Sequence, residues 1–198
     1  MEHNSEIRRL SELMPASARM MVKIISKPEQ IKVIDVLFPL PGNRERLIYI
    51  NFDLWCKLTK PQRDILFLRI VSWLLEVKWF KPDISQGIIL AGLLVGLVEF
   101  RQGDVVGTIA ALALSGMGIV RIWRMNNSQE LEINADNDAL NIAQRRGYSP
   151  TAAAENLLNS IETVAKIEGR SHLSFNELVR CQNLRVLSGL SGVGIPKI

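Results

Sequence analysis

Residues 84–123 read ISQGIILAGLLVGLVEFRQGDVVGTIAALALSGMGIVRIW, and from Ile84 to Val120 the only charged side chains are Glu99, Arg101 and Asp104. Those three stand together. The stretch therefore reads as two apolar helices, Ile84–Phe100 and Val105–Trp123, joined by a turn at residues 101–104. Helices of that length rise roughly 25 and 28 Å, close to the thickness of a bilayer hydrocarbon core. Seven of the chain's 13 glycines fall here, and Gly92-Leu-Leu-Val-Gly96 has the spacing that lets two membrane helices approach closely. The expectation is a transmembrane hairpin; a hairpin buried in a soluble domain, or packed inside a larger complex, is the rival. Lys78, Trp79 and Lys81 precede the first helix and Arg121, Trp123 and Arg124 close the second, while the turn is net acidic. Positive flanks and interfacial indoles place these six at the membrane interface, with both termini cytoplasmic and the lipid bilayer as a partner.

Upstream, residues 4–14 place Ile7, Leu10 and Leu13 at helical spacing, and Pro15 ends the segment. A second helix is predicted over Ala16–Ile25, before Lys27-Pro28. Residues 31–38 and 47–52 are β-branched and partly alternating, so they read as two strands linked through the turn-rich residues 39–43. A short helical piece over 53–60 follows. Thr59-Lys60-Pro61 then opens a long helix, about Gln62 to Phe80, apolar on more than one face and hence buried or against a membrane. Downstream, helices are expected from Ser128 to Arg146, from Ser149-Pro150 to about Glu168, and from Phe175 to Leu187, with a Gly/Ser-rich tail over 188–198.

The whole chain of 198 residues and 22.3 kDa suits one domain plus a membrane element: an N-terminal part to residue 83, the hairpin, and a C-terminal helical part over 124–187. Hydrophobic residues at 47% and charged residues at 22% exclude disordered and collagen-like classes. The net charge is +4, yet no dense Lys/Arg run with interleaved aromatics occurs, so nucleic acid is not an expected partner. Cys56 and Cys181 stand in no C-x-x-C and suit packing in a reducing compartment. The first 25 residues hold no uninterrupted apolar run, and no secretory signal is expected. Nucleotide-loop and serine-hydrolase motifs do not occur.

The order of elements carries the functional signal. Two strands, a short helix, a long helix, a hydrophobic hairpin and then Glu130-Leu-Glu132-Ile-Asn-Ala135-Asp136 resembles the membrane gluzincin zinc peptidases of the HtpX and CAAX prenyl protease type. Residues 145–150 (RRGYSP) and 152–154 (AAA) resemble that family's turn and following helix. The resemblance implies a gluzincin-like domain, mainly α with a small β element, interrupted by the hairpin. The segment corresponding to the family's H-E-x-x-H is Arg69-Ile70-Val71-Ser72-Trp73, with neither imidazole nor catalytic glutamate. The chain's two histidines, His3 and His172, lie at opposite ends of it. Zinc catalysis needs neutral imidazole ligands and a carboxylate base together, so no metal, no cofactor and no peptidase activity are expected. Residues 50–55 (INFDLW), 58–64 (LTKPQRD), 71–74 (VSWL) and 78–83 (KWFKPD) also resemble a cyanobacterial membrane-protein family, which implies a plasma or thylakoid membrane and supplies no mechanism.

A vestigial site of Arg69, Trp73, Glu132 and Asp136 is therefore expected. Glu132 and Asp136 share a helix face at i,i+4, and a guanidinium on an apolar helix needs a carboxylate. Under the resemblance Glu132 approaches the place of the lost zinc, and an Arg69–Glu132 ion pair is expected there. The expected function is a non-catalytic scaffold or assembly factor that binds a polypeptide or a membrane-complex partner through a degenerate peptidase cleft. Two rivals stay open: a soluble or peripheral subunit of a larger complex, and a metal-dependent hydrolase using Glu132 and Asp136.

Overall fold

The computed structural model describes residues 3–39, 45–77, 84–126 and 128–189. The chain divides into two compact units, one formed by Met1–Glu76 with Glu132–Ile198 and the other by Val77–Leu131. The first unit is thus built from two separated stretches of chain. It is mainly helical with a small sheet.

Helix α1 (His3–Leu13) buries Leu10 and Glu6 and stops before Pro15, and a single turn, α2 (Ala16–Arg19), follows. The helix expected over 16–25 ends there. Residues Val22–Ser26 instead form strand β1, which pairs in parallel with β3 (Arg46–Ile50), Val22 opposite Arg46 and Ser26 opposite Ile50. Val22, Ile24 and Ile25 are β-branched and fit a pleated surface better than a helix once a partner strand is at hand. Strand β2 (Ile34–Val36) lies antiparallel on the other side of β3, giving the order β1-β3-β2. Both strands expected from the sequence are present, each shorter than its apolar run; residues 40–44 of the link between them lie outside the described residues.

Asn51 ends β3 and is buried. Its Oδ1 accepts from the Asp53 and Leu54 amides at 3.1 and 3.3 Å, capping α3 (Phe52–Trp55), while its Nδ2 donates to the Pro28 and Gln30 carbonyls. Every polar position of this buried amide side chain is used.

Helix α4 (Lys60–Glu76) is the axis of the unit: each residue from Asp64 to Leu74 is buried. Residues 78–80 of the expected helix lie outside the described residues. Helices α7 (Gln129–Arg145), α8 (Pro150–Ile167) and α9 (Phe175–Leu187) complete the bundle. Ile65 and Leu68 of α4 share one core with Ala139, Leu140 and Ala143 of α7, Leu157 and Ile161 of α8, and Cys181 and Leu184 of α9. The caps are local chemistry: Ser149 accepts from the Ala152 amide, and Ser174 with Glu177 forms a reciprocal capping box.

Helices α5 (Ile84–Gln102) and α6 (Val105–Asn126) form the hairpin of the second unit, turning at Gly103, whose φ of +77° suits a residue without Cβ. Asp104 caps α6 by accepting from the Val106 and Gly107 amides. The two helices meet through small residues: a Cβ at Gly92 would stand 2.8 Å from Ser115 Oγ. Leu94, Leu97, Val98, Ile109 and Met117, among others, are exposed.

The transmembrane expectation is corrected here. Among the described residues no helix is long and apolar enough to cross a membrane. Helix length misled the reading. Ser85-Gln86 and Glu99 bound the uncharged apolar run of α5 to 87–98, about 18 Å, and that of α6 spans 105–120, about 24 Å, with Thr108 and Ser115 inside it. A span needs about 20 predominantly apolar residues. The integral-membrane assignment, the plasma or thylakoid location and the cytoplasmic orientation of the termini fall with it. Of the six residues expected at a membrane interface, Lys78, Trp79 and Lys81 lie outside the described residues, the Arg121 and Trp123 side chains are likewise undescribed, and Arg124 is an exposed residue of α6.

One buried polar network fastens α1 to α4. Glu6 accepts two hydrogen bonds from Arg9 at 2.8 Å, one from Arg63 Nη1 at 2.9 Å and one from the Trp55 indole at 3.2 Å. Asp64 accepts from Arg9 and, at 2.8 Å, from the Tyr148 hydroxyl. Burial by itself would raise the Glu6 carboxyl, but the bonds from Arg9 and Trp55 and the charges of Arg9 and Arg63 outweigh it and hold the group below its ordinary 4.5. Burial and the bond to Asp64 push the Tyr148 hydroxyl up to about 12. A lowered carboxyl contributes stability that is present above its unfolded value and is lost as pH falls through the folded one. Urea unfolding should therefore show stability declining as pH drops below 4.5. Glu6→Gln should cost about 2 kcal/mol or more at pH 7 and flatten that decline; an unchanged acid slope would mean other carboxylates carry it.

Candidate functional site

Three helices of the first unit bring a second set of charges together. Arg69 projects from the middle of α4, Glu132 and Asp136 from one face of α7, and Arg180 from α9. Asp136 is fully buried. It accepts from Arg180 Nε and Nη2, both at 2.8 Å, and from Arg69 Nε at 3.3 Å. Arg69 also pairs with Glu132, as the sequence led us to expect. The carboxylate of Asp136 is thus held between two arginines, and Glu132 takes the remaining side of one of them.

Each position has a local cause. On α7, residues 132 and 136 are one helical turn apart, while Ala135, Ala139 and Ala143 are buried along the same helix. Arg180 follows the capping box of α9 and precedes the buried Cys181. Burial and the neighbouring Arg180 charge push the Arg69 guanidinium down to about 9 against the pull of Asp136, which leaves it cationic at neutral pH.

A third cluster adjoins these. Arg170 donates to both Glu177 oxygens at 2.8 and 2.9 Å and pairs with Glu168 at 2.9 Å; Glu168 in turn accepts from the Val33 amide at 2.9 Å. Burial alone would raise Glu177, but Arg170 and the Ser174 backbone and side chain bring it down to about 2. The end of α8, the start of α9 and the entry to β2 are tied by one guanidinium.

The second and third clusters border a cleft of about 330 Å³, through Arg69 and Arg180 and through Glu168, Arg170 and Glu177. One wall is β2, through Ile34, Asp35 and Val36; the floor is Leu66, Arg69 and Ile70 of α4 with Ile161 and Val164 of α8. Lys32, Glu168, Arg170, Glu177 and Arg180 surround it.

Of the four residues expected from the sequence, Arg69, Glu132 and Asp136 meet. Trp73 lies one turn further along α4, buried, and packs edge-on against Phe38 at 6.0 Å between ring centroids. His3 stacks on Phe52 and His172 is exposed. The residues do not fit a zinc ion: a resident guanidinium faces the two carboxylates, and among the described residues no group of three His, Cys, Asp or Glu side chains is placed to hold a metal.

Sequence reasoning missed Arg180, Arg170, Glu177 and the network of Glu6, Arg9 and Asp64. A usable signal was present for some of them. Asp64 stands on the same apolar helix as Arg69, and Arg180 lies between apolar positions of α9, so the rule that singled out Arg69 applies to both.

The fold and the cluster together define a mainly helical protein with a three-stranded mixed sheet and an arginine–carboxylate site beside a cleft. The chain belongs to a family described as protein of unknown function (DUF3318), whose model matches residues 8–148. That match takes in Arg69, Glu132 and Asp136 and ends before α8 and α9. No curated protein and no solved structure matches the chain.

A double-mutant cycle measures how tightly the cluster is coupled. Arg69→Leu and Glu132→Leu should each destabilise, and the double variant should lose less than the sum of the two by about 1 kcal/mol or more in urea unfolding. Strict additivity would mean that the pair is uncoupled. Asp136→Asn, which leaves two buried arginines facing a neutral amide, should cost about 3–5 kcal/mol.

Proposed function

We propose that this chain is a non-catalytic binding protein, a scaffold or assembly factor built on a degenerate gluzincin peptidase plan, which holds a polypeptide in the cleft beside β2 without cutting it. The observation that carries the reading is the position of Arg69. By the sequence resemblance it stands where that family places its first zinc-binding imidazole, and its guanidinium engages Glu132 and Asp136 of the helix that resembles the family's ligand helix. A fixed cation occupying the carboxylates removes the Lewis acid and the activated water together, and an open cleft remains.

The test uses the purified full chain and a permanently unfolded polypeptide, with and without added zinc. Binding without cleavage under both conditions is the expected result. Zinc-dependent cleavage, or no binding at all, overturns the reading.

The exposed apolar residues of the hairpin favour a second role for the second unit, as the part that packs against a protein partner in a larger complex. A photo-crosslinking residue in place of Leu97, which is 64% exposed, should capture a protein in cells. Labelling confined to lipid, or to no macromolecule, overturns it.

A further inference from the structure

We infer that the cleft takes an uncharged, extended polypeptide segment with aliphatic side chains at alternate positions, laid along strand β2. The inference deepens the proposed reading and rests on it.

Strand β2 is an outer strand of the sheet, with β3 on one side and no further strand beyond it among the described residues. Ile34 and Val36 both line the cleft, and residues two apart on a strand share a face, so β2 presents a pair of aliphatic side chains at the spacing of an extended chain. The rest of the lining is aliphatic as well, through Leu66 and Ile70 of α4 and Ile161 and Val164 of α8, so the cleft offers apolar surface to such side chains.

Charge settles the chemistry of the occupant. The charged groups facing the cleft are matched within the chain: Lys32 with Asp35, Arg170 with Glu168 and Glu177, and Arg69 and Arg180 with Glu132 and Asp136. A charged side chain entering from a ligand would have to break one of these pairs or stay unpaired, and either is costly in a half-buried site. An uncharged segment meets no such cost. The volume of about 330 Å³ suits a few side chains of such a segment, at the lower end of the range for ligand pockets.

The experiment measures fluorescence anisotropy of three labelled peptides with the full chain. One is Gly-Ser-Val-Thr-Ile-Thr-Val-Ser-Gly; in the others the three aliphatic residues are all Lys or all Glu. The neutral peptide should bind, and the charged ones should bind about tenfold more weakly or worse, as burial of unpaired charge requires. Ile34→Asp and Val164→Asp should abolish binding of the neutral peptide, with circular dichroism checking that each variant is folded. Should Ile34→Asp unfold, Ile34→Thr keeps the strand former and should still weaken binding. If the charged peptides bind as well as the neutral one and lose binding in the cleft variants, this inference is overturned while the polypeptide-holding reading stands. Neutral-peptide binding that the cleft variants leave intact overturns the inference too, and failure of all three peptides to bind overturns both.

Discussion

A helix that is buried on every side cannot send a charge to water, and α4 carries two charges in its buried stretch, Asp64 and Arg69. Leaving either unpaired would cost several kcal/mol, a large share of the stability of a domain this size. The surrounding structure follows from that constraint. Asp64 is answered by Arg9 of α1 and by Tyr148 at the approach to α8; Arg69 is answered by Glu132 and Asp136 of α7. Asp136 then needs Arg180 to balance it, which fixes α9. Apolar packing supplies the bulk of the cohesion in the shared core, but packing alone is tolerant of rotation and sliding. The ion pairs state which residue of each helix must face α4.

The same arrangement connects stability to the cleft. Arg69 belongs both to the buried cluster and to the cleft floor, and Glu168 holds the Val33 amide at the entry to β2. The wall that would meet a polypeptide is therefore tied to the ends of α8 and α9 through Glu168 and Arg170. A binding surface held in this way loses little conformational freedom when it is occupied.

Much of this was legible in the residues. Periodicity and punctuation located α1, α4, α7, α8 and α9, because proline before a helix, serine at its cap and glycine after it act within a few residues of chain. The pairing of Arg69 with Glu132 was also legible, since an arginine on an apolar helix demands a partner and the order of elements supplied one. Strand β1 was not, because Val22–Ser26 is a short apolar run that only its pairing with β3 turns into a strand. The hairpin departs from the transmembrane expectation because the uncharged apolar run is shorter than the helix that carries it, bounded by Ser85, Gln86 and Glu99 for α5 and by Asp104 and Arg121 for α6. The Arg180 and Arg170 contacts needed three-dimensional knowledge of which helices become neighbours.

The discontinuity of the first unit has a temporal side. Its α4 is made early, whereas α7, α8 and α9 are made only after residues 77–131 have been synthesised. At roughly 5–20 residues per second that interval lasts from about 3 to 11 seconds. Throughout it the helix with the longest buried stretch of the unit has left the ribosome's catalytic centre before the helices that share its core are made. Nascent chains in that condition expose adhesive surface at each round of translation, so this architecture ties the yield of native protein to how fast the ribosome clears the hairpin and to whatever shields α4 in the meantime.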